Sequence, residues 1–350
     1  MTTFFNIARR GVIAGLVGTL AALPLGLAPA QAQDAEATLK VSFFTPPSSD
    51  NNKLVRRLQE RLTEATDGRL VLDFYEASQM GPAPRQFDLV RTGVADVSIM
   101  LIGLAPGRFP LLEMLDYAGV IDEGVSPEVA VPATSAALEM SDAYLSREMA
   151  GVKLLNIAVL PNPIIISKDP ITSLADLKNK RIRHPGAAHA VMLEKVGAVP
   201  TAVQSNEMAE ALARGVVDGV LTGYTGVDVF QLQDSATYVL ELPSGGMTFI
   251  AVMNQDSYDA LPADLQDIFD TQFGPANQAE WGAHLAIGEV EARDRLRADL
   301  TITQLPEADI AQFREVTAGI REGAAAERDA KGIPGTEFLE QLRKRGESYR

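Results

Sequence analysis

Apolar and polar residues alternate from Thr38 to Phe44, with Leu39, Val41 and Phe43 on one side, the two-residue period of a half-buried strand. A turn-rich segment, Thr45-Pro46-Pro47-Ser48-Ser49-Asp50, follows it. Leu54, Leu58 and Leu62 then recur at helical spacing with Val55 beside them; Asp50 or Asn51 can cap the start of that helix and Gly68 can end it. Leu70, Leu72 and Phe74 alternate again. The result is a strand, helix, strand unit suited to a parallel crossover.

The same alternation of elements runs on. A helix is expected near Pro84–Thr92 and a strand near Val94–Leu101. A second block opens with a helix near Thr172–Asn179, then a strand at Arg181–His184, a helix ending near Val196 ahead of Gly197, and a short strand at Val199–Val203. Asn206–Arg214 reads as a helix with Ser205 as candidate cap, and Val216–Thr222 as a strand. Two blocks of alternating β and α elements imply two α/β lobes. One internal echo supports this: Arg91-Thr92-Gly93-Val94-Ala95-Asp96-Val97 aligns with Ala213-Arg214-Gly215-Val216-Val217-Asp218-Gly219, each placing Gly where a helix stops and Asp at the mouth of the next strand. Ala276 to about Leu300 favours a helix long enough to brace both lobes; Thr301–Gln304 reads as one more strand, Pro306-Glu307 starts another helix, and Leu342–Arg350 is expected to fray. The division that follows is residues 36–160 and 247–288 for lobe I, and residues 161–246 and 289–350 for lobe II.

The first residues have a different pattern. Arg9 and Arg10 precede an apolar run from Val12 to Leu27, followed by Ala30-Gln31-Ala32, which is the order of an export signal cleaved near Ala32. The run falls short of the roughly 20 residues of a membrane span, so a periplasmic location is expected. Arg9-Arg10 fits either the twin-arginine or the general export route.

The chain has 350 residues, 46% of them hydrophobic, enough for two cores. Its formal charge is −15 and becomes more negative once a leader carrying Arg9 and Arg10 is removed. Such a field repels phosphate backbones, so nucleic acid is excluded as a partner, and an anionic ligand must be held by a local cation. Cysteine does not occur, which removes thiolate nucleophiles and thiolate metal sites. His184, His189 and His284 form no H-E-x-x-H frame, and neither a G-x-S-x-G elbow nor a Walker loop is present. Glu207 and Glu210 stand at the spacing of a solvated helix face. The residues offer no catalytic set and no cofactor motif, which favours a binder over an enzyme.

The most informative run is Asp169-Pro170-Ile171-Thr172-Ser173-Leu174-Ala175-Asp176-Leu177-Lys178-Asn179-Lys180-Arg181-Ile182-Arg183-His184-Pro185-Gly186. It resembles the P-I-x-x-x-x-D-L-K-G-x-K-I-R-x-P-G segment of the solute-binding proteins of TRAP (tripartite ATP-independent periplasmic) transporters. Val196-Gly197-Ala198-Val199-Pro200, Glu207 and Ala211-Leu212-Ala213-Arg214-Gly215-Val216-Val217-Asp218-Gly219 are similar to a second stretch of that family, Ser78-Gln79-Met80-Gly81 with Arg85 to a third, and Met253-Asn254 with Leu261-Pro262 to a fourth. The resemblance implies a two-lobed periplasmic binding fold with a long helix spanning both lobes. It also implies capture of a small carboxylate in the interlobe cleft and delivery to a small and a large integral membrane subunit. A binding protein of an ATP-driven importer or a sensor would have the same shape, and a periplasmic lyase or isomerase could use the same arginine.

By the resemblance, Arg183 forms the salt bridge with the ligand carboxylate. Its chemistry agrees, since a guanidinium presents a planar fork to a carboxylate and Arg183 lies near the end of a short strand, where open α/β sheets bind ligands. Arg85 matches a family arginine that reaches the ligand in some members, Thr222 falls where others present a polar side chain, Asn206 lies near a contact region, and Tyr224 and Phe44 are candidates for aromatic walls. A second arginine that many members carry before the P-I segment does not occur here; Leu160-Pro161-Asn162-Pro163-Ile164-Ile165 stands in its place. The resemblance therefore points to a monocarboxylate with an apolar or hydroxylated body rather than a densely charged acid.

Overall fold

The first strand, helix, strand unit forms as the spacing predicts in the computed structural model, which describes residues 35–350. The export signal lies outside these residues. Strands β1 (Ala37–Phe43) and β2 (Leu70–Tyr75) pair in parallel across helix α1 (Asp50–Ala65), whose Leu54, Val55, Leu58 and Leu62 are fully buried. Ser49, rather than Asp50 or Asn51, caps α1, its hydroxyl oxygen accepting from the Asn52 N–H. The later strands are β3 (Val97–Leu101), β4 (Val152–Pro161), β5 (Ile164–Ser167), β6 (Arg181–Arg183), β7 (Val199–Thr201), β8 (Gly219–Thr222), β9 (Tyr238–Glu241), β10 (Gly246–Asn254) and β11 (Thr301–Gln304). The helices that position the site are α2 (Pro127–Glu139), α3 (Ala187–Lys195), α4 (Tyr224–Val229), α5 (Gln278–Leu296), α6 (Glu307–Ala330) and α7 (Gly335–Gly346).

The strands form two sheets, β2-β1-β3-β10-β4 and β11-β9-β5-β8-β6-β7. Each sheet contains a strand antiparallel to both its neighbours, β10 in the first and β5 in the second. Both follow directly on a passage of the chain from one sheet to the other. The two passages, Asn162-Pro163 and Leu242–Gly245, lie against each other: the Asn162 N–H donates to Gly245 O at 2.7 Å, and Ser244 Oγ donates to Pro163 O at 2.5 Å. Asn162 is left-handed, with φ 44°, and its Nδ2 donates to the carbonyls of Asp122 and Gly124. Gly245 has φ +93°, and a Cβ there would stand 2.4 Å from Asp116 O, so this corner needs glycine twice over.

The echo between the halves is structural. Gly93 and Gly215 have φ +72° and +70°, and the following N–H groups of Val94 and Val216 close back on Leu89 O and Ala211 O, both at 2.9 Å. The strands therefore start at Val97 and Gly219, three residues later than the apolar run predicts, and Val94 and Val216 are half exposed. Asp96 then accepts from the Lys40 N–H at 2.7 Å, and Asp218 from the Arg181 N–H at 2.8 Å.

Helix α5 joins the lobes as its length predicts. Trp281 and Leu285 lie in the core around β1, β3 and β10, whereas Ala292 and Leu296 lie in the core around β5, β8 and β9. Helix α6 makes a second bridge that the sequence order does not reveal, since Phe313 packs in the second lobe and Ala324 and Ala325 in the first. The last helix, expected with lobe II, packs instead on α2 of the first lobe through the buried Phe338 and Leu342. Its apolar stripe keeps the chain helical to Gly346, where fraying was expected. Among the described residues no helix is long and apolar enough to cross a membrane.

Candidate functional site

The loops at the ends of β1, β3, β6 and β8 converge between the two sheets, where open α/β sheets bind ligands. They enclose a cavity of about 60 Å³ for water centres, and about 570 Å³ when all space between atoms, mouth included, is counted. Apolar side chains supply most of the wall, among them Phe44, Leu160, Met208, Phe230, Met247 and Phe249. The rings of Phe44 and Phe249 are nearly parallel, 7° apart in plane with centroids 6.5 Å apart. The space suits a body the size of a single ring.

Arg183 is the cation of this cavity. It ends β6, paired with Thr201 on one side and Val220 on the other, and is 1% exposed. Its Nε donates to Val203 O at 3.2 Å, Nη1 to Leu221 O at 3.2 Å and Nη2 to Ser205 Oγ at 3.3 Å. Those neutral acceptors fix the plane of the guanidinium and leave one donor on each terminal nitrogen. Among the described residues no carboxylate lies within 4.0 Å of it. Burial lowers its pKa to about 10, which leaves it charged at neutral pH. Arg181, two residues earlier in the strand, is exposed and forked onto Asp218 at 3.1 and 2.7 Å.

Phe44 and Thr222 join Arg183 in lining the cavity, both of them buried. Thr222 Oγ1 lies over the α4 backbone, where a Cβ on Gly226 would come within 2.2 Å of it. Asn206 is exposed and lines an adjoining depression at the mouth, which shares Phe44 and Ser205 with the cavity. Arg85 is exposed and is not among the lining residues; the buried polar group of that segment is Gln86, bonded to Ser42, Ser98 and Gly81 O. Tyr224 is fully buried in the second lobe beside the cavity, its hydroxyl donating to Glu241 Oε1 at 2.8 Å.

Several lining residues carry no signal in the sequence beyond their place after a strand. Thr45, Ser49, Asp50 and Asn51 form a polar rim at the start of α1, and Thr225 starts α4 across the cleft. Glu289 on α5 holds that second helix: its carboxylate accepts from the N–H groups of Tyr224 and Thr225 at 2.6 and 2.9 Å and from Thr225 Oγ1 at 2.6 Å. Burial raises Glu289 to about 7, opposed by these bonds and reinforced by the charge of Asp50. The bracing helix thus sets the position of the cavity wall in the second lobe. Among the described residues no cluster of His, Asp and Glu is placed to hold a metal ion.

Comparison with known proteins adds to this geometry. Residues 41–327 match the family described as bacterial extracellular solute-binding protein, family 7. A solute-binding protein of Albidiferax ferrireducens is 24% identical over 272 residues, covering 75% of this chain and 78% of the relative. A TRAP solute binding protein from an unidentified marine microbe, specific for aromatic acid ligands and solved with metahydroxyphenylacetate, superposes with a TM-score of 0.83 at 26% identity, over 89% of this chain and 99% of its own. A TRAP periplasmic solute binding protein of Bordetella bronchiseptica with bound (R)- and (S)-mandelate superposes with a TM-score of 0.77 at 26% identity, over 90% and 100% of the two chains.

Proposed function

The chain belongs to the bacterial extracellular solute-binding proteins of family 7, and from that premise we propose that it captures a small organic acid in the cleft between its sheets for a TRAP transporter. Arg183 takes the carboxylate and the apolar walls take a body of one ring or similar size. The observation that carries the reading is the buried Arg183 with no carboxylate within salt-bridge reach among the described residues. Removing a guanidinium from water costs several kcal/mol unless an opposite charge joins it, and the free donors on its two terminal nitrogens match the spacing of carboxylate oxygens. Thr222, with its hydroxyl on the same wall, adds a polar contact, and Phe44 with Phe249 forms the apolar side. Lobe closure excludes water from the pair and so strengthens it. The relatives that bind aromatic acids and mandelate share this fold and favour the same ligand class.

The exported chain works in the periplasm, and the closed form presents a surface to a small and a large integral membrane subunit. No bond is made or broken in this role. Calorimetric titration with benzoate, phenylacetate and mandelate tests it: at least one acid binds, and Arg183→Met removes that binding. Acids that bind the native protein and the Arg183→Met variant alike would remove Arg183 from the site, and a native protein that binds no acid would overturn the proposal.

A further inference from the structure

The end of the cavity formed by the start of α1 is rich in acceptors that lack donors. Asp50 lines the cavity, and its Oδ2 is buried without a partner among the described residues; the other oxygen is 3.3 Å from the ammonium of Lys53. The missing side chain of Gly288 on α5 makes the room, since a Cβ there would come within 2.0 Å of Oδ2.

Asn51 adds a second acceptor once the neighbouring protons are placed. His284 is buried with Nδ1 2.7 Å from Trp281 O and Nε2 2.8 Å from the Asn51 amide. A carbonyl oxygen only accepts, so Nδ1 carries the proton. Burial lowers this imidazole to about 4, so at neutral pH Nε2 is unprotonated and must accept. The amide therefore turns its nitrogen to His284. That places the Asn51 carbonyl oxygen at the amide's second position, which lacks a partner among the described residues, in a side chain that lines the cavity.

We propose that Asp50 and Asn51 select acids that carry a hydrogen-bond donor, a hydroxyl or an ammonium group, at the end remote from the carboxylate. The proposal rests on the reading of Arg183 as the carboxylate anchor and adds the second pole. An unsubstituted acid would leave a buried carboxylate oxygen, and the amide oxygen that Asn51 turns to the cavity, unpaired, and a site built to accept from a substrate rejects the analogue lacking that donor far more strongly than a methylene difference is rejected.

The test compares benzoate, 3-methylbenzoate, 3-hydroxybenzoate and 3-(aminomethyl)benzoate by calorimetry on the native protein and on Asp50→Ala. The expected result is that a donor-bearing acid binds at least tenfold more tightly than 3-methylbenzoate, which has nearly the volume of the hydroxy acid, and that Asp50→Ala reduces this ratio below about threefold. The hydroxyl and ammonium arms show which donor is preferred. Equal binding of all four acids, or a preference that survives in Asp50→Ala, overturns the selection role while leaving the Arg183 anchor in place; failure of every acid to bind counts against the anchor itself. A second readout needs no variant. The ¹⁵N resonances of His284 at pH 7 are expected to report a proton on Nδ1, and a proton on Nε2 instead would turn the Asn51 oxygen toward the ring and overturn the proposal.

Discussion

Gly103, just after β3 in the first lobe, meets Gly186, just after β6 in the second, backbone to backbone: a Cβ on Gly186 would stand 2.8 Å from the Cα of Gly103, and one on Gly103 would stand 2.6 Å from Pro185 O. Neither glycine has a left-handed backbone, so the requirement is close approach alone. Gly103→Ala and Gly186→Ala are expected to prop the cleft open and weaken acid binding about tenfold or more, with melting of the unliganded protein nearly unchanged. Small-angle scattering with and without ligand checks this, and a variant that contracts on binding as the native protein does would refute it.

Arg183 makes a charge-for-shape test possible. Arg183→Lys keeps the charge but loses the fork, and a charge-assisted hydrogen bond contributes about 1.5–3 kcal/mol, so affinity should fall roughly tenfold to a hundredfold. Arg183→Met removes binding, yet the unliganded variant is expected to remain within about 1 kcal/mol of the native protein, because the lost bonds are offset by release of an uncompensated buried charge. Urea unfolding without ligand measures the second effect separately from the first.

Asn162 ties the passage between the sheets to the loop at Asp122 and Gly124 while holding a positive φ. Asn162→Ala loses three side-chain hydrogen bonds, two donated to the Asp122 and Gly124 carbonyls and one accepted from the Gly245 N–H, and keeps the left-handed backbone without the residue type that tolerates it. A destabilisation of about 2–4 kcal/mol is expected in urea unfolding; Asn162→Gly, which relieves the backbone, should cost less.

His189 is buried in α3, and neither ring nitrogen has a hydrogen bond among the described residues. Burial, with the neighbouring charges of His184 and Arg183, lowers it from 6.5 to about 3. The unfolded chain thus takes up a proton as pH falls through 6.5 while the folded chain does not until about pH 3. Stability from this group is full above pH 6.5 and declines toward pH 3, by at most about 1.4 kcal/mol per pH unit. His189→Met, of similar bulk, is expected to flatten the acid limb of the stability profile over that window. An unchanged acid limb would show that His189 is protonated in the folded state.

Much of the architecture was legible because local and global signals agree. Leu54, Leu58 and Leu62 point to one core, and Gly93 and Gly215 stop helices in the two halves with the same turn. Strands β4 and β10 were not legible: every residue of β10 is buried, so a continuous apolar run replaces the two-residue period. The bridging role of α6 was hidden as well, because its two contacting ends face different cores and periodicity does not say which core a face will meet. In the site, Arg183 could be singled out because a short strand and a resemblance coincide there. Asp50, Asn51 and Glu289 could not, since a carboxylate at a helix start and one within a long helix are ordinary surface features until the fold buries them.

The two bridging helices have a thermodynamic consequence for the whole molecule. Since α5 and α6 each place side chains in both cores, neither lobe can lose its packing without exposing helix surface that the other lobe needs. A chain of this length could melt in two stages. Here the shared helices couple the lobes into one cooperative unit, so calorimetry should record a single transition, and an acid that touches both walls of the cleft should raise that transition as a whole rather than split it.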